Sequence, residues 1–123
     1  MDKQPFIDRI LETENLTDNL EDDAADHLLK WGLGQLDRLL EGIEDEAAAG
    51  EKVSALMKVM RGVNRIIGGP PTPAPEKVSE LAGFYAQAFG KPSPADKANA
   101  IAAEVSEQSG RAAVVFLLDW LEK

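Results

Sequence analysis

Through most of this chain, apolar side chains return every three or four positions, the spacing that gathers them on one side of an α-helix. The pattern is plainest in Leu29, Leu33, Leu36, Leu40 and Ile43, and Leu28, Trp31 and Leu39 widen it into a stripe broad enough to pack on two neighbours. The expected fold is therefore all-α, a bundle of about five to six helices around one apolar core.

Caps and breakers set the expected helix boundaries. Phe6, Ile7, Ile10 and Leu11 make one stripe over Pro5 to Thr13, a segment short enough to depend on docking. Asp18, with Glu21 three residues on, resembles a capping box and predicts the start of the second helix there. Glu21, Asp22 and Asp23 suit the positive end of that helix dipole. Gly32 and Gly34 interrupt the helix and predict either a kink or a close backbone approach. Gly50 ends an alanine-rich stretch and reads as a turn, so the third helix is expected over Glu51 to Ile67, with Val53, Leu56, Met57, Met60, Val63 and Ile67 inward. Gly68-Gly69-Pro70-Pro71 stops it, with glycine expected as a left-handed cap.

The pattern resumes over Pro75 to Phe89, where Val78, Leu81, Tyr85 and Phe89 are the expected buried residues and Gly90 closes the helix. Ser93-Pro94-Ala95-Asp96 has the chemistry of a helix start, and Ala98, Ile101, Ala102 and Val105 follow as a face of mostly small residues. Ala112 to Leu121 is apolar on nearly every side. Helix is preferred to strand there, because Leu117, Leu118 and Leu121 favour it and no other segment offers a pairing strand. Such a helix lies at the centre of a fold or beneath another subunit.

Four prolines among the six residues from Pro70 to Pro75 form the clearest linker. It divides the chain into an acidic helical part (1–69), the linker (70–75) and the C-terminal helices (76–123). The expected arrangement is an N-terminal helical hairpin joined to a C-terminal three-helix unit. All of 1–123 is read as one domain, since a half of about fifty residues is marginal alone.

Charge is distributed unevenly. Acids outnumber bases 22 to 13, a net of −9, and between Glu12 and Glu46 twelve acids face only Lys30 and Arg38. From Lys52 to Arg65 the sign reverses, with four bases and no acid. The bulk charge argues against general nucleic-acid binding, which needs a basic footprint. Lys58, Arg61 and Arg65 fall on one helical face, apart from the apolar one. The commoner arrangement would pair them internally with Asp37, Glu41 and Glu44 of the second helix. The alternative is a recognition patch for an acidic partner, and the lack of interleaved aromatics weakens an RNA version.

Reactive chemistry is sparse. The chain has no cysteine, which excludes disulfides, thiolate metal sites and a cysteine nucleophile. His27, the only histidine, follows Asp23 by one helical turn, and the two could share a divalent metal on one face. Glu44, Asp45 and Glu46 lack the alternating oxygen ligands of a calcium loop. Gly32-Leu33-Gly34 sits inside a helical pattern with no phosphate-loop context, and no nucleophile elbow is present. No cofactor or metal is implied. The longest apolar run, Ala112 to Leu118, is far short of the ~20 residues that cross a bilayer, and Met1 to Asn15 does not read as a secretory signal. A soluble, cytoplasmic protein with no membrane role is the expectation.

These readings converge on a non-enzymatic protein–protein interaction module, a helical adaptor or accessory subunit, with a homodimer as one form it could take. Its candidate contact residues are Lys58, Arg61 and Arg65 on the basic stripe, and Phe116, Leu117 and Trp120 as apolar anchors. One alternative is an acidic inhibitor or nucleic-acid mimic whose carboxylates fill a partner's basic groove. The other is a metal-dependent enzyme using Asp23 and His27.

Overall fold

A computed structural model of the chain describes residues 2–90 and 97–123. Among the described residues the regular structure is entirely helical, with six α-helices and one short 3-10 turn. The α-helices are α1 (Gln4–Glu12), α2 (Asp22–Leu39), α3 (Glu46–Ile67), α4 (Pro75–Phe89), α5 (Ala98–Ser106) and α6 (Gly110–Glu122).

Helix α1 buries Phe6 and Ile10. It is tied to α3 by Arg9, whose guanidinium donates to the Gly50 carbonyl at 3.4 Å and to Ser54 Oγ at 2.7 Å. The docking expected of so short a helix is thus polar as well as apolar.

Helix α2 does not begin at Asp18. Glu14–Leu16 form the 3-10 turn, and α2 starts at Asp22 with Glu21 at the N-cap and Asp22 and Asp23 in the first turn. Asp18 is taken up elsewhere: its Oδ1 accepts from Asn64 Nδ2 at 2.8 Å. Asn64, on α3, is the one buried polar residue among those described. It also accepts from the Asn19 amide at 3.1 Å and donates to the Asn15 carbonyl at 3.2 Å. A single amide side chain thereby satisfies donors and acceptors of the segment joining α1 to α2, and straps that segment across α3.

The glycines divide by role. A Cβ on Gly32 would lie 2.5 Å from Met60 Sδ, so the Met60 side chain of α3 packs directly on the α2 backbone there. Gly34 has open space around it. Gly50 does not mark a turn: α3 begins four residues earlier, where Asp45 caps it by accepting from the Ala47 amide at 3.3 Å. Three alanines then absorb the cost of one interior glycine, about 1 kcal/mol. The turn falls instead at Gly42, at φ +77°. Gly68 is not a left-handed cap either, since its φ is −86°. What it supplies is room, because a Cβ there would lie 2.5 Å from Asn19 Cβ and 2.6 Å from its carbonyl oxygen.

Helix α4 runs over the expected residues and ends at Gly90, with φ +69°. The expected helix start at Ser93 to Asp96 lies outside the described residues. Helix α6 is a helix rather than a strand, and it buries Ala113, Val114, Leu117, Leu118, Trp120 and Leu121.

The buried side chains of these elements form one cluster running from Phe6 to Leu121. Within it the helices pair across the proline linker. The most extensive packing is α3 on α4 and α2 on α6, each exceeding that of α2 on α3. Trp31 Nε1 of α2 donates to Glu122 Oε1 of α6 at 2.7 Å, across 91 positions of sequence. Among the described residues no helix is long and apolar enough to cross a membrane.

Candidate functional site

The outer face of α3 and the neighbouring face of α4 define a groove of about 520 Å³. Its position follows from helix geometry. Lys58, Arg61 and Arg65 are spaced by three and four residues, so they fall on one line down α3. Gly62, beside that line, lets Leu81 of α4 approach to 2.8 Å from where a Cβ would sit, which brings the two helices together. Ile66, Leu81, Phe84 and Pro73 line the apolar interior of the groove. Phe84 is half-buried, so part of its ring faces the groove and not the core. The linker closes one end with Pro70, Pro73 and Ala74.

The electrostatics of the two walls differ. On the α4 side Lys77 and Glu80 are paired at 3.9 Å and nearly cancel. On the α3 side, among the described residues, none of Lys58, Arg61 and Arg65 lies within ion-pair distance of a carboxylate. The expected internal pairing with Asp37, Glu41 and Glu44 does not form. The reason is rotational: α3 turns its apolar side to α2 and its basic line away from it, while Asp37 is paired with Lys3 of the segment leading into α1. Arg61 Nε donates to Asn15 Oδ1 at 2.9 Å, which steadies the middle of the line. Lys58 Nζ sits 6.0 Å from the centroid of the Phe84 ring, at the outer limit of a cation–π contact. A groove so built can hold an apolar group on its floor and an acidic one against its α3 rim. Among the described residues its lining includes no serine, threonine or histidine.

The second set of sequence-derived candidates is placed differently. Leu117 has no exposure and Trp120 only 7%, so both belong to the core and are not available as anchors on the surface of the folded chain. Phe116 is half-buried and packs against the same core. Trp120 stays inside although its Nε1–H finds no acceptor among the described residues, since burying an indole outweighs one unmade hydrogen bond. Asp23 lies 4.0 Å from Arg111 of α6, and no group of three or more potential metal-ligating residues converges among those described. Asp45, of the acidic trio Glu44 to Glu46, serves as the α3 cap.

One cluster was not anticipated from the sequence. Arg38 of α2 lies over the Phe89 ring, 4.4 Å from its centroid, and donates to the Tyr85 hydroxyl at 3.2 Å. Trp31 meets Phe89 edge-on at 6.4 Å. The signal for this cluster is only compositional, aromatics near the C-terminal end of α4, and it acts as packing between α2 and α4. Comparison with protein-family models, with curated proteins and with solved structures found no match to the chain.

Proposed function

We propose that this protein is a non-enzymatic, cytoplasmic interaction module that binds another protein through the groove between α3 and α4. One observation carries the reading: in a chain of net charge −9, three cations stand along an apolar groove, and among the described residues none of them lies within ion-pair distance of a carboxylate. Cations held near apolar surface, without a contact ion pair from their own chain, favour an acidic partner in both attraction and orientation. The burial of Leu117 and Trp120 removes the main reason to expect a homodimer, so the partner in this reading is a different chain. Of the twelve acids that the mimic alternative would use, Asp23, Asp26 and Asp37 have Arg111, Lys30 and Lys3 within ion-pair distance.

Affinity capture from the native host tests the reading, comparing the natural chain with Lys58→Glu/Arg65→Glu. A protein retained by the first and lost by the second supports it. Identical sets of retained proteins would count against the groove as the contact face.

A further inference from the structure

We infer, resting on that reading, that the segment occupying the groove is an acidic amphipathic α-helix. It lies along α3 with carboxylates toward Lys58, Arg61 and Arg65 and sets an apolar side chain down beside Phe84.

Spacing is the first argument. From Lys58 to Arg65 the basic line covers about 10 Å of helix axis in two steps, one of three residues and one of four. Carboxylates at i, i+3 and i+7 of a second helix lying alongside repeat with the same steps, so each meets one cation. An extended segment presents same-side residues at a uniform ~6.6 Å and drifts out of register with the unequal steps.

Backbone chemistry is the second. Both walls are α-helices whose amides and carbonyls are already bonded within the helix, so no strand edge exists for an extended peptide to pair with. Its backbone would lie unsatisfied against Phe84 and Ile66, whereas a helix satisfies its own. Volume is the third. About 520 Å³ admits one or two large side chains but not a helix ~10 Å across, so the occupant rests on the rim and inserts an anchor. The fourth is polarity. The α4 wall carries the Lys77–Glu80 pair and so calls for no net charge, which puts the acidic edge of the occupant on the α3 side only.

Fluorescence anisotropy with the full chain tests this, using four labelled or competing probes. These are a helical peptide with Glu at i, i+3 and i+7 and Leu and Phe on the adjoining face, the same peptide broken by two central prolines, a version with Lys for Glu, and dodecanoate. The helical peptide should bind, and the proline version should bind at least about tenfold more weakly. Lys58→Glu/Arg65→Glu should weaken the helical peptide by about tenfold, the loss expected from two rim ion pairs, and should gain affinity for the Lys peptide. Lys58 and Arg65 are exposed and make no hydrogen bond to the described residues, so this variant should fold, and an unchanged circular dichroism melt checks it.

Equal binding of the intact and proline-broken peptides would overturn the helical occupant while leaving the groove as a protein-binding face. Dodecanoate binding that the double variant abolishes, with no peptide binding, would overturn both and assign the groove to a small anionic amphiphile. Peptide binding indifferent to the double variant, or no binding by any probe, would also overturn the inference.

Discussion

On its inner face α3 presents Val53, Leu56, Met60 and Val63, none of them solvent-exposed, together with Asn64 and its three hydrogen bonds. On its outer face the same helix presents Lys58, Arg61 and Arg65, of which only Arg61 forms a hydrogen bond within the described residues. The inner face is tied to α2, α4, α6 and the strapped segment, so any change there disturbs several neighbours at once. The outer face is held by a hydrogen bond at one point, Arg61, so the exposed charges of Lys58 and Arg65 weigh little on the fold. Stability thus rests on one side of the helix and the proposed recognition on the other, and each side can be attacked separately.

The largest effect should come from Leu56→Asp, which puts an unpaired charge at a site with no exposure. A loss of more than about 4 kcal/mol is expected, enough to abolish the cooperative thermal transition. A well-folded variant would show that α3 is set in the wrong rotation. Asn64→Ala should cost about 2–3 kcal/mol, because it removes three bonds and leaves their partners in partly buried surroundings. Urea unfolding would measure that cost. Hydrogen exchange at the Asn19 amide should rise by far more than at amides in the middle of α3, and a uniform rise would deny the strap its local role.

Gly68→Ala should cost about 1–3 kcal/mol, since the new methyl meets the Asn19 backbone and not merely a side chain that can swing aside. A neutral or stabilising outcome, as helix propensity alone would suggest, would contradict the close approach. Arg65→Glu closes the series. Its effect on stability should stay within about 1 kcal/mol, the scale for reversing an exposed charge in the last turn of a helix. A larger loss would mean that the outer face supports the fold after all, and the division would fail.

Much of the fold could be read from periodicity, because burying one side of a helix imposes a pattern that no local exception hides. The extent of α4 and the helical state of α6 both follow from it. The departures at Asp18 and Gly68 share one cause, a partner distant in sequence, whereas the early start of α3 comes from the local Asp45 cap. Asp18 looks like a cap for Glu21's turn, yet its oxygen is held by Asn64, 46 positions away. Gly68 looks like a left-handed terminator, yet its small size answers to Asn19. The site was half legible. The basic line of α3 was visible as spacing, but its apolar floor comes from Leu81, Phe84 and Pro73, and nothing local says which face of α4 meets which face of α3.

The pairing of α2 with α6 bears on how this chain is born. The apolar surface of α2, including the fully buried Leu28, gains its principal cover only when residues some ninety positions later have left the ribosome. At ordinary elongation speeds of about 5–20 residues per second, that wait is on the order of ten seconds. Until then the part of the α2 surface that α6 covers stays open on the nascent polypeptide, with α3 as the main partner that α2 has already met.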